Sequence, residues 1–284
     1  MKKIRLIPRL DIKDNYLVKG IHLEGLRILG KPEEFALEYY QKGADEIIYQ
    51  DVVASLYSKN SLLDQIKKIN EKIFIPLTVG GGIRSIKDIK KILKAGADKI
   101  VINTAAVKNP NLISKAAEIF GSSTIVVAVE VSKNKNNEYE VFTNNGREKT
   151  KWIARNWVKE IEKKGAGEIF LTSIDNEGTG KNFDYNLIKD ISKAVKIPVV
   201  CHGGGANIDD IFKVSSDTEV SGISVASMLH YNLILFNKKF KTQALELNEN
   251  LLSLSSMINK KKIYRFNLED LKKKINKKFI SRSI

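Results

Sequence analysis

The chain has 284 residues, of which 43% are hydrophobic and one is a cysteine. That length suits one large α/β domain, and the lone Cys201 excludes an internal disulfide. No apolar run approaches the ~20 residues that cross a bilayer, and the N-terminal segment reaches Pro8 and Arg9 too soon for a secretory signal, so a cytoplasmic protein without membrane association is expected.

The formal net charge of +15 is concentrated in the C-terminal tail. Residues 238–284 hold thirteen Lys or Arg against four Asp or Glu, which places +9 of the +15 there. No nucleic-acid recognition motif accompanies this charge, so nucleic-acid binding is not expected. The three histidines are widely spaced and form no metal-ligand pattern. We therefore expect neither a metal nor a cofactor.

Short apolar runs rich in β-forming residues alternate along the chain with amphipathic helices. "SIKDIKKILKAG" shows the helical spacing, with apolar residues at i, i+3 and i+4. Eight such units, with nearly continuous apolar strands, predict an α/β fold in which a parallel sheet closes into a (β/α)8 TIM barrel. The predicted strands cover residues 4–11, 46–51, 74–79, 99–103, 124–130, 168–173, 197–202 and 222–226.

The two halves of the predicted barrel resemble each other. "IPLTVGGGIRSIKDI" (75–89) aligns with "IPVVCHGGGANIDDI" (197–211) at an offset of 122 residues, which indicates an internal duplication. Asp11 and Glu130 end the first and fifth strands and are 119 residues apart, so they take matching places at the C-terminal mouth. Each could be a salt-bridged strand end, but paired carboxylates suit proton shuttling, and their symmetry favours catalysis.

Glycine-rich turns follow strands three and seven, in "VGGGIRS" and "HGGGAN", and strands four and eight end in "NTA" and "ASM". The N–H groups of such turns, together with the helix N-termini that follow, bind phosphate. One glycine turn is often only a tight loop, but two matched copies predict a substrate with a phosphate at each end. The candidate residues are Gly81, Gly82, Asn103, Thr104, Gly203, Gly204, Ala226 and Ser227.

Five motifs, "PRLDIKDNYLVKG", "IPLTVGGGIRS", "GADKIVINTAAVKNP", "EIFLTSIDNEGT" and "VASMLH", resemble the cyclase subunit of imidazole glycerol phosphate synthase, over roughly residues 1–235. The resemblance implies a heterodimer in which a glutaminase subunit docks on the N-terminal face and its ammonia crosses the barrel. At the mouth the ammonia would react with phosphoribulosyl-formimino-aminoimidazole-carboxamide ribotide. The products would be imidazole glycerol phosphate, for histidine biosynthesis, and aminoimidazole carboxamide ribotide.

The resemblance also implies roles for individual residues. It makes Asp11 and Glu130 the catalytic pair and Asp98 a contact to the glutaminase. Other substrate contacts would be Lys19, Asp51, Thr172 and Glu177, and Lys19, in the predicted first βα loop, could close over the site. The ammonia gate at the barrel bottom would be Arg5, Glu46, Lys99 and Glu168, which from the sequence alone resemble ordinary strand-start salt bridges.

Four residues depart from the pattern of the family. Arg9 in "IPRLD" replaces a usual Cys, and His202 replaces a common Ser before the second phosphate loop. Glu130 and Glu177 stand where Asp is usual. A Glu keeps the charge but moves the carboxylate by one methylene, and a misplacement of ~1 Å can cost about a hundredfold in rate. We therefore expect a reshaped site.

Residues 1–236 are predicted to form the barrel and residues 237–284 a basic helical extension, either solvated or docked on an acidic partner. Three functions remain open. The first is the family's cyclase reaction. The second is a paralogue that channels ammonia from a glutaminase to the amidation of a surface-polysaccharide sugar. The third is a non-catalytic scaffold that binds phosphorylated ligands or nucleic acid.

Overall fold

A computed structural model describes residues 4–53, 61–247 and 268–276. Its strands are β1 (Arg5–Lys13), β2 (Tyr16–Ile21), β3 (Glu24–Gly30), β4 (Ile47–Asp51), β5 (Leu77–Gly80), β6 (Lys99–Ile102), β7 (Ile125–Lys133), β8 (Tyr139–Thr143), β9 (Glu148–Ile153), β10 (Glu168–Ser173), β11 (Val199–His202) and β12 (Gly222–Val225).

The helices cover the outside of these strands, and a short 3-10 turn at Ser122–Thr124 precedes β7. They are α1 (Pro32–Gln41), α2 (Ser61–Asn70), α3 (Ile86–Lys94), α4 (Thr104–Lys108), α5 (Asn111–Phe120), α6 (Ala154–Lys163), α7 (Tyr185–Ala194), α8 (Ile208–Asp217), α9 (Ser227–Phe236), α10 (Lys238–Glu246) and α11 (Leu268–Asn276). Within the described ranges, no helix is both long and apolar enough to cross a membrane.

Eight strands pair in parallel and close on themselves. Their order around the barrel is β1, β4, β5, β6, β7, β10, β11 and β12, and β12 pairs again with β1. The predicted (β/α)8 TIM barrel is therefore confirmed. Of the predicted extension, α10 and α11 are helical, whereas residues 248–267 and 277–284 lie outside the described residues.

Two hairpins that the sequence patterns did not predict extend one strand in each half. β1 runs past the barrel and pairs antiparallel with β2, which pairs with β3, and β7 does the same with β8 and β9. Asp11 lies opposite Val18, and Glu130 lies opposite Phe142. Each carboxylate thus sits where its strand leaves the barrel. The outer strands β3 and β9 are mostly exposed or half-buried, and charged residues interrupt both, so no continuous apolar run marks them.

Two of the predicted strands begin later than expected. The ladders of β5 and β11 start at Leu77 and Val199, directly after Pro76 and Pro198. Proline has no N–H to donate to a ladder, so pairing starts with the residue that follows it. Phe74, which the prediction placed in a strand, is 75% exposed instead.

Apolar side chains fill two separate layers. The main core joins the outward faces of the strands to the helices. A second cluster comes from alternate positions on six barrel strands and lies inside the barrel, where its Phe170 ring faces the buried guanidinium of Arg9. Its members are Ile7, Ile48, Val101, Val126, Ala128, Phe170 and Val200.

Candidate active site

The N-terminal end of the barrel carries a closed ring of four alternating charges. Arg5 Nη1 donates to Glu46 Oε2 at 2.7 Å, and Nη2 of the same guanidinium donates to Glu168 Oε1. Lys99 Nζ lies 3.0 Å from Glu46 Oε2 and 3.0 Å from Glu168 Oε2. The structure thus brings together the four residues expected at a gate, and we refer to them as the ionic ring.

Asp98 lies beside the ionic ring, directly before Lys99. Its Oδ2 accepts the backbone N–H of Leu77 at 2.8 Å, and its own N–H donates to the Leu77 carbonyl at 2.9 Å. The residue is nevertheless exposed at this end of the barrel. A partner that covered the ring would therefore find a carboxylate held in a defined position.

At the opposite end of the barrel, two cationic side chains, Arg9 and Lys19, bind the carboxylate of Asp11. Arg9 Nε donates to Asp11 Oδ1 at 2.6 Å, and Lys19 Nζ donates to Asp11 Oδ2 at 2.9 Å. Burial favours the neutral acid, but Arg9 and Lys19 outweigh it and hold the pKa of Asp11 below its ordinary value. Lys19 lies in strand β2 and is 1% exposed, so the expectation of a lysine in a loop that closes over the site was wrong.

The same buried network continues to Glu177 and His202. Lys19 Nζ donates to Glu177 Oε1, which also lies 3.2 Å from His202 Nε2. Burial opposes ionisation of Glu177, but Lys19 and His202 outweigh it and hold its pKa well below the ordinary value. The Glu177 carbonyl accepts the backbone N–H of His22 at 2.9 Å, which ties this loop to the first hairpin.

Three of the four departures from the family pattern therefore belong to one network around Asp11. The Arg9 guanidinium lies 5.4 Å from the centroid of the Phe170 ring, on which His202 stacks at 5.6 Å. Arg9 is 2% exposed and Glu177 is 1% exposed. The buried Arg9 is thus balanced by carboxylates rather than left unpaired.

The pKa of Glu130, the fourth departure, is shifted in the opposite direction to that of Asp11. It is 8% exposed, and the Gly146 N–H donates to its Oε2 at 2.9 Å. Burial raises the pKa of Glu130 to about 7, although Arg9 and Gly146 favour the charged form. Near neutral pH, one end of the barrel therefore holds an ionised carboxylate and a carboxylic acid that is partly protonated.

A cavity of about 560 Å³ opens beside Glu130. Its lining includes six of the predicted site residues, whereas Asp11, Lys19, Thr172 and Glu177 are buried and are not part of it. The six residues are Asp51, Gly81, Gly82, Asn103, Thr104 and Glu130. The volume falls within the range of small-molecule sites.

The glycine turns of the two halves have matching backbone conformations. Gly81 and Gly203 have φ of 116° and 98°, and a Cβ would lie 2.5 Å from the Asp51 carbonyl oxygen at the first and 2.6 Å from the Ser173 carbonyl oxygen at the second. Only glycine fits such a turn. Gly82 and Gly204 also have positive φ, of 64° and 99°.

The strand ends that follow the glycine turns also match. Asn103 (φ −127°, ψ −85°) and Ala226 (φ −131°, ψ −85°) precede α4 and α9, and neither side chain caps its helix. The first N–H groups of both helices, which begin at Thr104 and Ser227, therefore have no cap from these side chains. Both halves thus contain the elements expected of an anion site.

Two cavity residues that the sequence patterns did not predict, Asn144 and Asn145, lie in the turn between β8 and β9. The turn brings Asn144 to Thr104, with the Asn144 N–H donating to Thr104 Oγ1 at 3.1 Å, and Asn145 joins the lining. Arg84 and Lys108 add positive charge to the wall. The sequence "NNG" before a polar strand was the available signal, since asparagines with positive φ are typical of hairpin turns.

Four buried polar atoms near the mouth have no hydrogen-bond partner among the described residues. Such atoms are rare in native interiors and indicate groups that bind a ligand or water. Thr172 lies beside Glu130 in the sheet register, and Glu177 belongs to the network around Asp11. The atoms are Asn103 Oδ1, Thr172 Oγ1, Glu177 Oε2 and Ser224 Oγ.

These features define a class: a (β/α)8 barrel with buried carboxylates and two matched glycine turns at one end and an ionic ring at the other. The sequence profile of the family described as "Histidine biosynthesis protein" matches residues 5–234. The chain therefore belongs to that family. Residues 235–284 lie beyond the matched region.

Relatives of the same family are similar over most of the chain. The imidazole glycerol phosphate synthase subunit HisF of Legionella pneumophila is 53% identical over 210 residues, which is 74% of this chain and 99% of the relative. HisF of Prochlorococcus marinus (strain MIT 9515) is 42% identical over 269 residues, 94% of this chain and 99% of the relative. HisF of Bacillus cereus (strain G9842) is 46% identical over 227 residues, 80% of this chain and 90% of the relative. Each relative bears the name of a subunit.

Proposed function

We propose that this protein is the cyclase subunit of an imidazole glycerol phosphate synthase in histidine biosynthesis. It uses ammonia to convert phosphoribulosyl-formimino-aminoimidazole-carboxamide ribotide to imidazole glycerol phosphate and aminoimidazole carboxamide ribotide. The relatives named above support the assignment. The observation that carries it is the pair of carboxylates at one mouth, Asp11 and Glu130, whose pKa values are shifted in opposite directions.

The reaction needs an acid and a base together. Ammonia adds to the ketone of the ribulosyl chain and the ketone oxygen leaves as water. The added nitrogen then bonds the formimino carbon, which closes the imidazole ring, and the C–N bond from that carbon to the second product breaks. A base must take protons from the incoming nitrogen, and an acid must protonate the oxygen and nitrogen that depart. Asp11 is held ionised and acts as the base. Glu130, with a pKa of about 7, acts as the acid.

The two matched glycine turns support a substrate with two phosphates. In the first half, Gly81, Gly82 and Thr104 hold one phosphate at the wall of the cavity, with Arg84 and Lys108 nearby. The corresponding groups of the second half are Gly203, Gly204, Ala226 and Ser227. Thr172 and Glu177, each with an unpartnered buried oxygen, contact the atoms between the phosphates.

The ammonia comes from a glutaminase subunit that docks on the N-terminal end and forms a heterodimer, which suits a cytoplasmic enzyme. The ionic ring supports this proposal because its four paired charges lie at the N-terminal end of an interior that is lined mainly by apolar side chains. Neutral ammonia crosses such an interior more easily than ammonium, since an unpaired buried ion is costly. Asp98 is the contact to the glutaminase.

The test is turnover of the purified chain with the proposed ribotide substrate and excess ammonium salt, without a glutaminase, at neutral pH, where Glu130 is still partly protonated, and at alkaline pH, where more of the ammonium is free ammonia. We expect imidazole glycerol phosphate to form at a rate that Asp11→Asn abolishes. Glu138→Gln is the control, since Glu138 is an exposed carboxylate on the second hairpin. A wild-type chain that is inactive, while Glu130→Asp is active, would show that the mouth has been altered for another acceptor of ammonia.

A further inference from the structure

Helix α11 belongs to the extension beyond the family match, yet it is packed against the barrel. Leu268 and Leu271 are 2% and 0% exposed and belong to the main hydrophobic core. Lys272, next along the helix, is also only 2% exposed. Its neighbour Lys273 is exposed and pairs with Glu269 at 2.7 Å within the helix. One lysine of the helix thus faces the barrel while the next faces solvent.

The buried lysine reaches the loop that precedes β4. Lys272 Nζ donates to the Gly43 carbonyl at 2.5 Å and to Asp45 Oδ1 at 2.8 Å. Asp45 is itself tied to β1, because its Oδ2 accepts the Leu6 N–H at 2.9 Å and its own N–H donates to the Leu6 carbonyl at 3.1 Å. The ammonium group therefore completes a buried junction between the starts of β1 and β4.

This junction adjoins two members of the ionic ring. Leu6 follows Arg5, and Asp45 precedes Glu46, so two residues of the junction are each covalently bonded to a residue of the ring. Arg5 and Glu46 form the 2.7 Å bond on that side of the ring. A shift of either strand start would therefore move the charged residue that it carries and change the distance between Arg5 and Glu46.

Asp98 shows what the junction would be without the lysine. Asp98 and Leu77 form the same pair of bonds as Asp45 and Leu6, and Lys99 follows Asp98 as Glu46 follows Asp45. Asp98 is exposed, however, whereas Asp45 is 9% exposed and bonded to Lys272. At Asp45, a lysine of the extension therefore binds the carboxylate, whereas the matching carboxylate of Asp98 is exposed.

We propose that Lys272 is a positioning residue for the ionic ring, which acts by fixing the strand starts that carry Arg5 and Glu46. The extension is then a built-in part of the N-terminal end, and the sector of Asp98 is left for a partner. The consequence for ammonia transfer rests on the proposed function above, whereas the consequence for the geometry of the ring does not.

The experiment compares Lys272→Met with Lys273→Met in the full chain. The first reading is structural: nitrogen-15 NMR of the Arg5 guanidinium protons, and hydrogen exchange of the Leu6 amide. In Lys272→Met both are expected to exchange roughly tenfold or more faster, because the junction that orders them has opened. In Lys273→Met, which breaks only an exposed pair, both are expected to stay as in wild type.

The second reading is functional and uses the complex with the glutaminase subunit. Turnover with glutamine is divided by turnover with ammonium salt, which is a ratio that general loss of folded protein does not change. We expect the ratio to fall roughly tenfold in Lys272→Met, in line with the cost of sub-ångström misplacement, and to be unchanged in Lys273→Met.

Unchanged exchange of the Arg5 protons in Lys272→Met would overturn the proposal, as would faster exchange with an unchanged ratio, since the contact would then only stabilise the fold. A wild-type protein without turnover on either nitrogen source would refute the proposed function instead. In that case the exchange of the Arg5 and Leu6 protons still decides whether Lys272 positions the ring.

Discussion

The two half-barrels place a carboxylate at the same point of the same topology and surround it differently. Asp11 and Glu130 both lie where a barrel strand enters its hairpin. Two positions earlier in the strand, the first half has Arg9, which bonds Asp11, and the second half has Ala128, which lines the cavity. The second half therefore has open space where the first half has a buried cation.

The hairpins differ in the same way. In the first half, Lys19 follows the residue opposite Asp11 and donates to that carboxylate. In the second half, the residue after the one opposite Glu130 is Thr143, a buried neutral side chain. Two differences between the halves, Arg9 against Ala128 and Lys19 against Thr143, thus accompany the difference between the ionised Asp11 and Glu130, whose pKa is about 7. A duplicated scaffold can make an acid–base pair by changing the neighbours and keeping both carboxylates.

The largest expected effect comes from removing the ionised member of the pair. Asp11→Asn should lower ammonium-driven turnover by about 10³-fold or more, since general acid–base catalysis contributes up to about 10⁴-fold. Turnover is measured with saturating substrate, and circular dichroism checks that the variant is folded. A loss of less than tenfold would mean that the first half does not supply the base.

Removal of the protonated member should have a smaller effect. Glu130→Gln keeps the shape of the side chain and the bond from Gly146, but it cannot transfer a proton. We expect about a hundredfold lower turnover at pH 7, with little change in the KM for the substrate. If KM rises while kcat is unchanged, Glu130 binds the substrate rather than donating a proton.

Replacement of Arg9 by an uncharged residue should bring the pKa of Asp11 closer to that of Glu130. Arg9→Met removes the buried guanidinium, so the pKa of Asp11 should rise and turnover below pH 7 should fall roughly tenfold. Loss of one partner from a buried ionic network should also lower the free energy of unfolding by about 3 kcal/mol. Urea unfolding and the acid limb of the rate profile measure the two effects. Arg155→Met, on the exposed pair with Asp190, is the control.

The smallest effect is a pH dependence of stability that belongs to Glu130 alone. Burial raises its pKa from 4.5 to about 7 in the folded protein, so the unfolded chain releases the proton first as the pH rises. Wild type should therefore lose stability relative to Glu130→Gln between about pH 4.5 and pH 7, by up to about 3 kcal/mol. Thermal unfolding of both proteins at pH 4, 6 and 8 measures the difference. A constant difference across this range would contradict the raised pKa.

The sequence predicted the barrel well because its signals are local. Apolar runs, glycine turns and amphipathic helices each report on a few neighbouring residues, and the repeat located Asp11 and Glu130 at matching strand ends. The hairpins were missed because β3 and β9 are mostly exposed or half-buried and charged residues interrupt them, which leaves no continuous apolar run.

The amino-acid sequence by itself determined the closed barrel, its two-fold repeat and the positions of Asp11, Glu130 and the glycine turns, since these follow from periodicity and motif spacing, whereas the residues of the ionic ring were implied by the family resemblance. The tertiary structure alone decided how those residues are charged and connected. The pKa of a carboxylate depends on burial and on cations brought near by pairing, such as Arg9 and Lys19 around Asp11. The same holds for Lys272, whose bond to Asp45 joins residues 227 positions apart.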